Sequence, residues 1–94
     1  MSMIGSFKSK ALASLWYRQS AAKLDSRLAH RITVRLARLN KAISPDELNV
    51  PGFDFHKLSG DRIGFYSIHV NGPWCLTFEW EDQEAMNIDL ENYH

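Results

Sequence analysis

The last third of the chain alternates between apolar and polar positions. Over residues 64–70, Tyr66, Ile68 and Val70 fall on one side of an extended chain and Phe65, Ser67 and His69 on the other, the period of two that marks a pleated strand. Asn71-Gly72-Pro73 interrupts it, because Asn-Gly accepts the positive φ of a tight hairpin and Pro73 has no N–H to give to a ladder. A return strand over 74–80 puts Trp74, Leu76, Phe78 and Trp80 on one face and Cys75, Thr77 and Glu79 on the other. One face is therefore strongly apolar and the other small, polar or reactive. After an acidic turn at 81–84, residues 85–90 alternate again, which directs Met86, Ile88 and Leu90 toward the core.

The period changes upstream. Leu28, Ile32, Leu36 and Leu39 repeat at intervals of four, four and three, the stripe of a helix lying on a sheet, and Asp25 is placed to cap it, so a helix is expected over about 25–40. A shorter helix is expected over 9–16, capped by Ser9, with Leu12, Leu15 and Trp16 inward. Residues 4–7 read as a short edge strand, and Ser44-Pro45-Asp46-Glu47-Leu48 as a helix start with proline in the first turn. Residues 53–57 read as the strand entering the sheet, and Leu58-Ser59-Gly60-Asp61-Arg62 as a connecting turn. The fold class that follows is α+β, in one domain spanning 1–94.

Charge changes the picture more than composition does. The net charge is zero, yet residues 1–42 hold nine basic side chains against Asp25, and residues 43–94 hold ten acidic side chains against Lys57 and Arg62, giving +8 and −8. Either the halves neutralise each other or one side meets a polyanion. Much of the basic charge is on the long helix, where Arg27, Arg31, Arg35 and Arg38 repeat with the apolar spacing, each one position before a buried residue. That offset of about 100° leaves a guanidinium stripe beside the core stripe. Such a row suits bidentate phosphate binding, and it equally suits a solvated helix face with an acidic neighbour.

One cysteine in 94 residues excludes an internal disulfide framework, and no CxxC or HExxH spacing suggests a metal. No apolar run approaches the roughly 18 residues of a membrane span, and a cytoplasmic location is expected, with no membrane partner. Of the four histidines, His30 and His69 read as structural or surface groups. His56 ends the first sheet strand and His94 follows the last. If those strands neighbour each other, two imidazoles flank one cleft and suit acid–base cleavage at a ribose 2′-OH; otherwise they are unrelated. Tyr93 suits stacking on a base or packing as a lid, and Cys75 lacks a partner at nucleophile spacing.

Several segments together resemble the HigB-type toxins of the RelE/ParE superfamily. They are Met3-Ile4-Gly5-Ser6-Phe7, Leu39-Asn40 with Ala42, Leu48-Asn49-Val50-Pro51-Gly52, Leu58 to Arg62, Tyr66-Ser67-Ile68, Val70-Asn71 with Trp74, Phe78 and Trp80, and Tyr93-His94. The resemblance implies a RelE-like fold, an antiparallel sheet of about four to five strands packed against N-terminal helices. It implies a toxin of a type II toxin-antitoxin system, a ribosome-dependent messenger RNA endoribonuclease acting by 2′-OH attack on the adjacent phosphate, without a cofactor. His56, Tyr93 and His94 match the family's catalytic positions. Arg62, Asn92 and Ser59, with the helix arginines 27, 31, 35 and 38, become RNA-binding candidates. Relatives often carry Arg, Lys and Asp where this chain has Cys75, Ser59 and Asn92. The partners implied are the ribosome with its messenger and a HigA-type helix-turn-helix antitoxin, which alone would touch operator DNA. The alternative is a ParE-like toxin that binds DNA gyrase without catalysis.

Overall fold

The computed structural model describes residues 3–92. Helix α1 (Lys10–Arg18) starts at Ser9, whose hydroxyl accepts the Leu12 N–H at 3.2 Å. Helix α2 (Ser26–Lys41) starts at Asp25, whose carboxylate accepts the Arg27 N–H at 2.8 Å. Both caps satisfy N–H groups that the first helical turn leaves without partners. Four strands follow in chain order, β1 (His56–Lys57), β2 (Phe65–Asn71), β3 (Trp74–Glu81) and β4 (Glu84–Asn92). They form an antiparallel meander in the order β1-β2-β3-β4. The architecture is α+β, as expected, with the antiparallel sheet of four strands and the N-terminal helices that the resemblance implied.

The helices cover one face of the sheet. Leu28, Ile32, Leu36 and Leu39 of α2 and Leu12 and Leu15 of α1 meet Ile68, Val70, Leu76, Phe78, Ala85 and Ile88 in one core. Tyr66 continues it between two ring neighbours, Phe55 at 5.7 Å and Phe78 at 5.6 Å.

Four expectations change. The entering strand shrinks to His56–Lys57, because Asp54 adopts φ 46° and breaks the extended run from residue 53. The segment at Pro45–Leu48, read as a helix start, is a single 3-10 turn, while Gly60–Arg62 is the connecting turn expected, in 3-10 form. Residues 4–7 make two isolated parallel bridges to β4, at Ile4↔Ala85 and Phe7↔Ile88, instead of a regular strand. On β4 the alternation slips: the register shifts by one where Asn87 takes φ 53°, so Ala85 is buried and Met86 is not. A bulge of this kind reverses the faces of the residues before it. Met86 packs instead over Gly5, where a Cβ would lie 2.3 Å from its sulfur.

The helix arginines do not form one exposed row. Arg35 is buried, at 6% exposure, while Arg27, Arg31 and Arg38 are exposed. Its Nε donates to the His69 carbonyl at 2.6 Å, a second nitrogen donates to the Arg31 carbonyl at 3.1 Å, and the guanidinium lies 4.6 Å from the Phe53 ring centroid. Burial, with the nearby Arg31 charge, lowers its pKa from the ordinary value. Arginine's range is high enough that the group stays charged. Arg35→Ala is expected to cost about 2–3 kcal/mol, the scale of a buried charge-assisted hydrogen bond lost with its partner left unsatisfied. Arg31→Ala and Arg38→Ala should each stay within about 0.5 kcal/mol. Urea unfolding of the three variants checks the difference, and equal midpoints would refute it.

Candidate active site

The second face of the sheet carries the polar half of the strand alternation. Across the four strands, His56 pairs with Ser67, Ser67 with Thr77 and Thr77 with Asp89, and the next row joins His69, Cys75 and Glu91. Ser67 and Thr77 are buried under the longer side chains around them. Arg62 sets the shape of this face. It leaves the turn before β2, lies 4.8 Å from the Phe65 ring centroid and reaches β4, where its two terminal nitrogens donate to both oxygens of Glu91 at 3.2 and 2.7 Å. The Thr77 hydroxyl donates to the same carboxylate. Lys8, Glu79, Asn87 and Asp89 complete the rim of a pocket of about 460 Å³, with the Asn87 amide donating to Glu79 at 2.7 Å.

His56 is exposed at the other edge of the same face. Its Nε2 lies 3.2 Å from an Asp54 carboxylate oxygen, so the left-handed turn at Asp54 places a carboxylate where it can hold the imidazole. The condition for a shared cleft, that the first and last strands neighbour each other, is not met. β1 and β4 are opposite edges of the sheet. Three strand spacings of about 4.8 Å separate His56 from Asp89 in its own row, roughly 14 Å. Tyr93 and His94 lie outside the described residues. Asn92, the last described residue, is exposed at the end of β4 opposite Trp74. Ser59 is exposed and opens the 3-10 turn that carries Arg62.

The remaining candidates are elsewhere. Arg27, Arg31 and Arg38 are on the solvent side of α2, whose other side packs on the sheet, so they face away from Arg62 and His56. Arg27 folds back on its own cap, 2.8 Å from Asp25, and holds that carboxyl down at about 2. His69 is structural, with Nε2 2.9 Å from the Gly72 carbonyl oxygen. Cys75 is half-buried, and burial pushes its thiol pKa up, away from the reactive thiolate. Sequence reasoning passed over Lys8, Thr77 and Glu91. The alternation that put Cys75, Thr77 and Glu79 on one face, extended along β4, was the signal that could have found the last two.

A family model described as a RelE-like toxin of the type II toxin-antitoxin system HigB matches residues 5–94. The chain is 35% identical over 92 residues to Endoribonuclease HigB of Proteus vulgaris, covering 98% of this chain and 100% of that protein. It is 31% identical over 87 residues to Toxin HigB-1 of Vibrio cholerae serotype O1, covering 90% of this chain and 92% of that protein.

The Glu91 carboxyl is held below the usual glutamate range, first by the Arg62 hydrogen bonds and then by the Thr77 hydroxyl, against the opposing effect of burial. A carboxyl whose folded pKa is depressed adds stability that is full above its unfolded pKa and is lost as pH falls through the folded one. The wild type should therefore exceed Glu91→Gln in thermal midpoint at pH 7, with the gap closing below the ordinary value of 4.5. Melting curves from pH 7 to pH 3 test this, and a gap independent of pH would contradict it.

Proposed function

Because this chain belongs to the RelE-like toxins of HigB type II toxin-antitoxin systems, we propose that it is an endoribonuclease that cuts messenger RNA during translation. The observation that carries this reading is the full-length match to a relative named as an endoribonuclease. The match does not favour the gyrase-binding alternative. In the proposed reaction a base takes the proton of a ribose 2′-OH, and the 2′-oxygen attacks the adjacent phosphorus. An acid then protonates the departing 5′-oxygen, leaving a 2′,3′-cyclic phosphate and a 5′-hydroxyl. His56 is the proton-transfer group assigned among the described residues, with Asp54 holding its ring. His94 is proposed as the second such group and Tyr93 as an orienting or stacking residue on the family match alone, since β1, which carries His56, and β4 are not neighbouring strands. Arg62 meets the RNA backbone, with Ser59 in the same turn beside it; Asn92 is assigned to the RNA from the family match alone.

The toxin domain is taken to span 1–94, acting in the cytoplasm where ribosomes are. The exposed basic side of α2, with Arg27, Arg31 and Arg38, rests on ribosomal RNA in this reading. Arg35 takes no part, since its guanidinium is used inside the protein. The two surfaces are on opposite sides of the molecule, so messenger and ribosomal RNA meet the toxin separately. Ribosomal positioning makes a modest intrinsic site sufficient, because holding reactants in place is itself worth several powers of ten. Membership of a type II system implies an antitoxin. A HigA-type helix-turn-helix protein is proposed, through which the toxin reaches operator DNA.

Primer extension on a reporter messenger in a cell-free translation system tests the reading. Cuts are expected within translated codons, absent without ribosomes. They should weaken by about 10²–10⁴-fold in His56→Ala and in His94→Ala, the usual contribution of an acid–base group. Intact messenger in the presence of folded wild type, or DNA damage without cuts, would refute it.

A further inference from the structure

The Arg62 fork is already holding an anion. Both oxygens of Glu91 sit on its two terminal nitrogens, at 3.2 and 2.7 Å, in the paired geometry by which a guanidinium also grips two phosphate oxygens. Phe65 lies under the guanidinium and limits its movement, and Thr77 gives the carboxylate a further hydrogen bond from a buried hydroxyl. Lys8 is the second cation of the pocket, against the carboxylates of Glu79, Asp89 and Glu91. With Glu91 in place the two cations are outnumbered and the fork is occupied. The pocket then offers an arriving phosphate no net positive charge.

We propose that Arg62 and Lys8 form a phosphodiester subsite that Glu91 fills from within the molecule when no RNA is bound, so that substrate enters by exchanging a carboxylate for a phosphate. This rests on the ribonuclease reading above and names the residue that regulates entry to its site. The exchange is nearly balanced in kind: Arg62 keeps two charge-assisted hydrogen bonds, and Glu91 trades Arg62 and Thr77 for water. Glu91 has the advantage of attachment, since a tethered group competes at an effective concentration of about millimolar or above. Free RNA at lower concentration loses that competition. A messenger held in place beside the pocket wins it, and the toxin thereby spares RNA that is not being presented. Asn87 and Glu79, bonded to each other, also line the pocket.

The test measures binding apart from cleavage. The probe is a short 2′-O-methyl oligoribonucleotide, which has no free 2′-OH and is not cut, with affinity read by calorimetry at low salt. Wild type, Glu91→Gln, Arg62→Ala and the double variant are compared, with Glu81→Gln as a control for loss of an exposed charge. Glu91→Gln should tighten binding at least about fivefold, a gain large enough to exceed the control. Arg62→Ala should weaken binding, and the gain should vanish when both are changed. An unchanged or weaker affinity in Glu91→Gln, or a gain that survives without Arg62, overturns the proposal. Should the glutamine variant not fold, the side-chain carboxyl carbon signal of Glu91 in the wild type gives the same answer. It should move toward that of a solvated glutamate as probe is added, and a static signal under saturating probe overturns the exchange. Ribosome-dependent cuts without tightening would leave the nuclease standing and remove the gate. Tightening without cuts would support the subsite and remove the nuclease.

Discussion

A buried cation solvated by carbonyl oxygens holds this fold together. Arg35 passes from α2 into the protein and donates to the His69 carbonyl, while the His69 N–H donates to the Phe53 carbonyl at 2.6 Å. One side chain thus joins the long helix, an inner strand of the sheet and the loop that leads into β1. Carbonyl dipoles and the Phe53 ring supply the negative ends that burial requires, and a hydrocarbon of similar length would leave the His69 oxygen without that partner. The strand so fixed lies between the one bearing His56 and the one bearing Cys75 and Thr77. The geometry of the polar face is therefore set from behind, through the core.

That arrangement separates the charges that the sequence splits into halves. Among the described residues no ion pair joins α2 to the acidic second half: the pairs are Arg27 with Asp25, His56 with Asp54 and Arg62 with Glu91. Among the described residues the two halves meet in charge mainly where Lys8 enters the acid-lined pocket. Basic groups line one side of the molecule, and the other side carries acids around Arg62 and Lys8. Such a distribution turns a protein of zero net charge in a field and gives it a preferred approach to a polyanion.

The elements were largely legible in the residues. Ser9 and Asp25 announced both helices, Asn71-Gly72 announced the first hairpin, and the alternation at 64–80 assigned both faces of two strands. Three departures share a cause, which is tertiary context overriding a local period. Asn87 accepts a left-handed backbone and shifts β4, a preference of asparagine that a face-counting argument does not weigh. Arg35 has the spacing of its exposed neighbours, and only its position opposite the His69 carbonyl makes it a core residue. Strand order placed His56 and the end of β4 at opposite edges, and order is not written in any one segment. For the site, Arg62 was visible through the family resemblance. Its grip on Glu91 joins residues 29 apart along the chain and could not be read from either alone.

The bulge at Asn87 has a further effect at the border of the sheet. Edge strands expose a row of unpaired backbone groups on which another chain can build, and proteins that stay separate must spoil that template. Here the N-terminal segment runs parallel to β4, with hydrogen bonds from Gly5 to the Ala85 carbonyl at 2.8 Å and from Lys8 to the Ile88 carbonyl at 2.9 Å. The kink between those anchors prevents a regular ladder, and β1 at the opposite border is two residues long. Among the described residues neither border offers a straight, unpaired strand of useful length. Aggregation by strand addition is thereby discouraged by the same irregularities that interrupt the hydrophobic alternation.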